Sequence, residues 1–175
     1  MIEPPLRTRG SAAGRAVVAL LVALCAVTAG AAEYTVPGDY GTIQAAVDAA
    51  TDGDTVVVEP GNYRESVVLR GNLVLRGRET ARTILEGQGQ DPAIAVSGVS
   101  GVRISNFTFA GAADGVRISG AADVIIAGNV FMDSEGVALD VRDQSGVQVI
   151  NNTFVGNATA LRRSHAGVVI RNNIF

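Results

Sequence analysis

The chain has 175 residues, a length that predicts a single domain. It carries 17 acidic residues against 14 basic ones, and the formal net charge of −3 excludes the broadly basic surface that general nucleic-acid binding requires. Because Cys25 is the only cysteine, a disulfide framework and a cysteine-based metal site are excluded as well.

The first 32 residues have the three-part layout of a secretory signal peptide. A basic start with three arginines precedes an unbroken apolar run over 16–26 and small residues over 28–32. That run is too short to cross a bilayer comfortably, although an uncleaved membrane anchor is the alternative. The sequence predicts cleavage after Ala31 or Ala32, export to the periplasm or the exterior, and no membrane partner for the mature chain. Cleavage removes one acid and three arginines, which takes the net charge to about −5.

Residues 42–50 predict a short amphipathic helix. Ile43, Ala46 and Val47 fall on one face, and Asp39 or Thr42 is suited to cap the N-terminus. Short apolar strands and turn signals then alternate as far as residue 85. The end of a repetitive β-structure exposes its core and an edge strand, so we expect this helix to cover that end as a cap.

Four segments from residue 102 onward align as a repeat. Each ends in a phenylalanine, and the spacings are 22, 23 and 21 residues: Phe109, Phe131, Phe154 and Phe175. Within each period, short stretches alternate apolar and polar side chains between Gly, Asn, Asp and Ser, which is typical of strands with one buried face. Each period therefore describes one coil of a solenoid, stacked on the coil before it at about 4.8 Å.

Equivalent residues of successive coils are expected to lie directly above one another. The four phenylalanines then form an internal aromatic ladder. Two positions before three of them stand asparagines: Asn129, Asn152 and Asn173. We interpret these as a structural ladder at a bend, because Asn tolerates the left-handed conformation and its amide can bond to the next coil.

The fold predicted from this repeat is all-β, a right-handed parallel β-helix of about 22 residues per coil over 33–175, with an N-terminal capping helix. The opening reads VPGDYGTIQAAVDAA at 36–50, GDTVVV at 53–58 and PGNYRE at 60–65. It resembles the opening of secreted parallel β-helix proteins, among them periplasmic copper-accessory proteins related to nitrous oxide reductase assembly. Gly61-x-Tyr63-x-Glu65 also resembles the start of pectin methylesterases, and the later repeats resemble those of the pectin-lyase-like superfamily. This resemblance implies a fold and leaves the chemistry open, because many chemistries share the scaffold.

Three carboxylates are the candidates for catalysis: Asp114, Asp133 and Glu135. The motifs that supply the catalytic groups of pectin methylesterases do not recur in 90–160, which argues against that activity. Asp114-Gly, Asp133-Ser-Glu135 and the later Ser-His165-Ala-Gly loosely resemble the Asp-Gly, Asp-Asp and Gly-His-Gly motifs of polygalacturonases. Inverting hydrolysis needs an acid and a base about 6.5–9.5 Å apart. The departures from those motifs, and the polar residues that any bend requires, favour a structural role.

A second charged group is the candidate binding site: Asp140, Arg162, Arg163 and His165. If Leu139 stacks on Leu161, Asp140 stacks on Arg162, and one interpretation is an ion pair between coils. The other is a groove in which Arg162, Arg163 and His165 hold the carboxylates of a sugar acid. Calcium, which pectate lyases use, would need converging oxygen ligands that the sequence does not show, so no metal and no cofactor are predicted.

We predict a secreted or periplasmic, non-catalytic module that binds or scaffolds a polysaccharide or a protein partner. The alternative is a lyase or glycoside hydrolase acting on uronic-acid polymers, with a catalytic site that is degenerate here or lies beyond residue 175. The mature chain has no Trp and its ladder uses the phenylalanines, which leaves few aromatics for a sugar platform and favours the scaffold. Because Phe175 ends the sequence in mid-coil, we expect further coils beyond it or end-to-end self-association.

Overall fold

The computed structural model describes residues 30–142, 146–164 and 167–175. Within these ranges the elements follow one another as β1 (Glu33–Val36), α1 (Ile43–Ala49), β2 (Thr55–Val58), β3 (Gly61–Arg64), β4 (Val67–Leu69), β5 (Val74–Gly77), β6 (Thr83–Glu86), β7 (Ile94–Ser97), β8 (Arg103–Ser105), β9 (Thr108–Ala110), β10 (Val116–Ser119), β11 (Ile125–Ala127), β12 (Val130–Met132), β13 (Val137–Arg142), β14 (Gln148–Ile150), β15 (Thr153–Val155), β16 (Thr159–Arg163) and β17 (Val169–Arg171). No helix in the described part of the chain is long and apolar enough to cross a membrane.

Three parallel sheets run along the solenoid. Sheet A has the order β1-β2-β5-β8-β11-β14-β17, sheet B has β3-β6-β9-β12-β15, and sheet C has β4-β7-β10-β13-β16. From β2 onward the chain visits sheets A, B and C in turn, so each strand pairs with its equivalent one coil away. The predicted all-β parallel solenoid with about 22 residues per coil is confirmed.

The core lies between the three sheets and is built by the inward positions of each strand. On sheet A, the buried column includes Leu75, Ile104 and Ile126, whose side chains are fully inaccessible. On sheet C, Val96 and Ile118 hold the corresponding positions. Burial of each such side chain contributes about 1.5–3 kcal/mol, so the alternating pattern stabilises every coil in the same way.

The phenylalanines of the repeat form a continuous stack beneath sheet B. The ring centroids of Phe109, Phe131, Phe154 and Phe175 are separated by 4.8, 4.9 and 5.0 Å in succession. Phe131 is fully buried between two neighbours, whereas Phe175, at the end of the stack, is 66% exposed.

The asparagines form a hydrogen-bonded ladder between sheets A and B. The Oδ1 atoms of Asn129, Asn152 and Asn173 accept from the backbone N–H of the residue one coil earlier at 3.0, 3.0 and 2.8 Å. Their Nδ2 atoms donate to carbonyls of sheet A at 3.2, 2.9 and 2.9 Å. Each amide therefore joins two coils, and those of Asn129 and Asn152 are buried.

The left-handed backbone conformation belongs to the residue before each of these asparagines. The φ angles of Gly128, Asn151 and Asn172 are 66°, 55° and 52°, and Asn106, at the equivalent position before Phe107, has a φ of 61°. The explanation of the ladder by left-handed tolerance was therefore wrong by one position. The preceding residue makes the bend, and the ladder residue supplies the inward amide.

At the N-terminal end, α1 lies against strands β1, β2 and β4. Thr42 is the N-cap, because its Oγ1 accepts from the backbone N–H of Ala45 at 3.2 Å, whereas Asp39 accepts from Thr35 instead. Ile43, Ala46 and Val47 are buried. The predicted amphipathic helix is thus present, with seven residues rather than nine.

Two side chains join α1 to the first coil. The carboxylate of Glu65 accepts from the backbone N–H groups of Ile43 and Gln44, both at 3.1 Å. The Gln44 amide accepts from Val68 N–H at 2.7 Å and donates to Val68 C=O at 3.3 Å. Since β4 is the edge strand of sheet C, this side chain bonds to it as a neighbouring strand would.

Candidate functional site

The strongest cluster of charges lies on the outer side of sheet C, around Asp140. Arg117, Asp140 and Arg162 occupy the same register position on β10, β13 and β16. Asp140 is fully inaccessible to solvent. A buried carboxylate is tolerated only where charged or polar partners surround it, and here arginines do so.

Both oxygens of Asp140 are engaged. Arg162 donates from Nε to Oδ1 at 2.9 Å and from its terminal nitrogen to Oδ2 at 2.6 Å. Arg142, two residues along the same strand, donates to Oδ2 from Nε at 2.7 Å. The hydrogen bond from Arg162 holds the pKa of Asp140 below its usual value against the opposing effect of burial, and Arg142 lowers that pKa further. The same contact raises the pKa of Arg162. Asp140 therefore remains ionised and fixes two guanidinium groups.

The guanidinium groups that Asp140 fixes still reach solvent. The side chains of Arg142 and Arg162 are 47% and 51% exposed. With Ser164 they line a shallow depression of about 370 Å³. Exposed, prepositioned guanidinium groups suit the recognition of carboxylates.

Of the other two predicted binding residues, the structure describes Arg163. Arg163 pairs in register with Val141. In earlier coils this register position is held by Val96 and Ile118, whose side chains point inward. Arg163 itself is exposed. His165 lies outside the described residues. Of the four predicted residues, the structure brings together Asp140 and Arg162.

Asp114, the first of the three catalytic candidates, is engaged on both oxygens. Its Oδ1 accepts from the backbone N–H of Val137 at 2.7 Å, and its Oδ2 accepts from Arg117 at 2.5 Å. The residue is 9% exposed. These contacts tie the bend before β10 to the next coil, which is a structural role.

Asp133 and Glu135 are both exposed residues of the bend between β12 and β13. Asp133 has a φ of 54° and its backbone N–H donates to Val155 C=O at 3.1 Å, so it makes the turn. Glu135 shares a depression of about 320 Å³ with Gln90, Asp114 and Arg117. Glu135 therefore keeps access to an open depression.

No group of three or more His, Cys, Asp or Glu side chains in the described ranges could hold a metal ion.

Sequence reasoning missed Arg117 and Arg142 as members of the cluster. Arg117 precedes Asp140 by 23 residues, which is one coil, and this offset could have placed the two side by side. Arg142 follows Asp140 by two residues on one strand and so shares its face. The coil period therefore predicts the position of Arg117, and the two-residue period of the strand predicts that of Arg142.

Three parallel sheets wound in a single solenoid, with stacked phenylalanine and asparagine ladders, define a right-handed parallel β-helix repeat protein. The family model described as "Right handed beta helix region" matches residues 92–175. No curated protein matches the chain significantly.

Two solved structures resemble this one. The first is a proposed glycosyl hydrolase from Parabacteroides merdae ATCC 43184, with a TM-score of 0.60 and 16% identity over 81% of this chain and 97% of that one. The second is an alginate lyase from Paenibacillus sp. str. FPU-7, with a TM-score of 0.50 and 14% identity over 81% of this chain and 75% of that one. At these identities the likeness concerns the fold alone.

Replacement of Asp140 tests the cluster, because its charge is what joins the two arginines. For Asp140→Asn we expect a loss of about 1–3 kcal/mol in the free energy of unfolding at pH 7. The folded-state pKa is lowered, so this stabilisation is complete above the unfolded-state pKa of about 3.9 and is lost as the pH falls through the folded value. Urea unfolding at pH 7 and at pH 3 should show a gap between the two proteins that shrinks in acid. Asp91→Asn, at an exposed carboxylate, is the control, and an equal loss there would contradict the assignment.

Proposed function

We propose that this protein is a non-catalytic β-helix module that binds an acidic polysaccharide through the arginines of sheet C. The observation that carries the proposal is the pair Arg142 and Arg162, held by the buried Asp140 and still about half exposed. Guanidinium groups fixed before binding lose little side-chain entropy when a carboxylate arrives. Arg162 also carries donors beyond those that Asp140 uses, which suits a polymer carrying one carboxylate on each sugar.

The engagement of the candidate carboxylates supports a non-catalytic role. A general acid or base must reach the proton that it transfers, by direct contact or through one water. Both oxygens of Asp114 and both oxygens of Asp140 already accept hydrogen bonds from the protein. Neither residue is suited to exchange a proton with a substrate.

Glu135 favours the second candidate function, an enzyme acting on uronic-acid polymers. It is exposed beside Gln90 and Arg117 in one depression, where a carboxylate and a guanidinium could face the same sugar. This function predicts that Glu135→Gln abolishes the release of new reducing ends or unsaturated products from polygalacturonate or alginate. The non-catalytic proposal predicts no such products from the parent protein.

Binding to polygalacturonate tests the proposed site. We expect the purified protein to be retarded in native gels that contain the polymer, and Arg142→Gln/Arg162→Gln to raise the dissociation constant about tenfold, equivalent to about 1.4 kcal/mol. Arg64→Gln/Arg82→Gln removes the same charge from two exposed positions elsewhere and serves as the control. Unchanged binding by Arg142→Gln/Arg162→Gln would show that these two arginines are not the binding site.

We also propose that α1 acts as the cap of the first coil. Its buried face over the core, and the Gln44 bonds to the edge strand β4, support this role. For Gln44→Ala we expect a loss of about 1–2 kcal/mol and self-association at high concentration, because the edge strand loses its partner. Urea unfolding and light scattering measure the two effects. Gln90→Ala, at an exposed position, is the control, and equal behaviour of the two variants would contradict the capping role.

Export with removal of residues 1–31 completes the proposal. Ala32 N–H donates to Oδ1 of Asp54 at 2.7 Å, and Asp54 is only 3% exposed. Cleavage after Ala31 would place a new α-ammonium group at this carboxylate, where a charge-assisted bond forms. We expect the intact mass of the exported protein to begin at Ala32. A mature chain that begins at Glu33, or one that retains the leader, would contradict this prediction.

A further inference from the structure

A second surface of the solenoid carries arginines on a stretch of sheet A whose own strands contain no acid, and Glu33, on β1 of the same sheet, approaches one of them, Arg76. Strands β5, β8, β11, β14 and β17 contain Arg76, Arg103 and Arg171 and no aspartate or glutamate. The whole chain has a net negative charge, whereas this stretch of sheet A is positively charged. Its outer side attracts anions and does not repel them.

Four coils contribute to one depression on this surface, of about 430 Å³, which we call the sheet A cleft. Its polar lining consists of Arg76, Arg103, Ser105, Asn106 and Asn151, and the rest is Val74, Ala127 and Gly128. Gly128 stands where earlier and later coils place an asparagine, and a side chain there would approach Oδ1 of Asn106 to 3.1 Å. The glycine therefore keeps the cleft open between Asn106 and Asn151.

The described part of the protein engages the arginines of the cleft only in part. The Nε atom of Arg76 is buried and, among the described residues, has no hydrogen-bond partner. A terminal nitrogen of the same side chain lies 3.6 Å from Glu33, a loose and exposed contact. Within the described ranges no ion pair involves Arg103, which is exposed. A buried donor without an acceptor is rare in folded proteins. The part of Arg76 that a ligand can reach is the exposed remainder of its side chain, which is 42% accessible.

We propose that the sheet A cleft binds a carboxylate of an acidic polysaccharide, and that the polymer continues across the strands toward Arg171. The carboxylate lies between Arg76 and Arg103, which are fixed on adjacent strands. Asn106 and Asn151 offer donors and acceptors, as sugar hydroxyls require. Arg171 stands three strands beyond Arg103, about 14 Å along the solenoid, where it meets a later sugar acid. This inference rests on the ligand class of the proposed function and assigns it a second surface.

The test compares three double variants in native gels containing polygalacturonate, with its fully methyl-esterified form as the neutral polymer. We expect Arg76→Gln/Arg103→Gln to raise the dissociation constant at least about tenfold. Arg64→Gln/Arg82→Gln, of equal charge, should remain within about twofold, and added salt should weaken binding by the parent protein. Far-UV circular dichroism of each variant verifies that the fold is retained.

The outcomes separate this inference from the proposed function. Binding by the parent that Arg142→Gln/Arg162→Gln weakens, while Arg76→Gln/Arg103→Gln leaves it unchanged, overturns the sheet A cleft alone. Loss of binding in the sheet A variant supports the cleft whatever the sheet C variant does. If the parent protein does not bind polygalacturonate, both the sheet A cleft and the proposed function are wrong. Equal affinity for the methyl-esterified polymer, or for single-stranded DNA of matched charge, overturns the assignment to sugar carboxylates.

Discussion

Replacement of Asn152 by alanine is expected to lower the free energy of unfolding by about 3–5 kcal/mol. The Asn152 amide accepts from the backbone N–H of Asn129 and donates to the carbonyl of Ile126, and Asn152 is 1% exposed. Alanine leaves the buried backbone N–H of Asn129 without its partner and removes one donor from the Ile126 carbonyl, and an orphaned buried group costs about 1–3 kcal/mol. The loss also interrupts a chain of amides, because Asn152 bonds to Asn129 and Asn173 on either side.

Urea unfolding followed by circular dichroism measures this effect. Asn62→Ala is the matched control, because Asn62 is exposed on β3 and should change stability by less than about 0.5 kcal/mol. If Asn152→Ala were as stable as Asn62→Ala, the ladder would not be a major source of cohesion between coils.

The second large effect is expected from Phe131→Ala, with a loss of about 3–5 kcal/mol. Phe131 is fully buried, and its ring lies between those of Phe109 and Phe154 at 4.8 and 4.9 Å. Truncation opens a cavity whose lining cannot close, because the backbones above and below are held by parallel sheet pairing.

Phe175→Ala gives the control for the stack, since it removes the same side chain at a position that is 66% exposed. We expect a loss of about 1 kcal/mol there, from one ring contact and a small buried area. Thermal or urea unfolding of the two variants should differ severalfold. Equal losses would show that stability does not depend on depth within the solenoid.

The coil period could be read from the sequence because it repeats in residues of one type. The phenylalanine spacing set the coil length, and strand alternation set the pairing of Leu139 with Leu161, from which the neighbours Asp140 and Arg162 follow. The position of the left-handed residue could not be read in the same way. Pairs such as Asn151-Asn152 offer two equivalent candidates, and the choice depends on which amide the core can satisfy.

The repeat pattern could not predict contacts between elements of different types, such as a helix and a strand. Gln44 meets Val68 only because α1 crosses the first coil at a particular angle, which no periodicity specifies. The sheet A cleft combines side chains from four coils with a glycine whose importance is the absence of a side chain. The sequence predicted Asp114 as a candidate for catalysis and Asp140 as a candidate for binding, and only their hydrogen-bond partners show how fully each is engaged.

The chain length of polygalacturonate recovered from its complex with the purified protein distinguishes a binding module from an enzyme. We expect the polymer to be bound and to be recovered at its original length after prolonged incubation, with no new reducing ends and no unsaturated ends. A polymer that is shortened, in a reaction that Glu135→Gln prevents, would contradict the account and identify the protein as an enzyme.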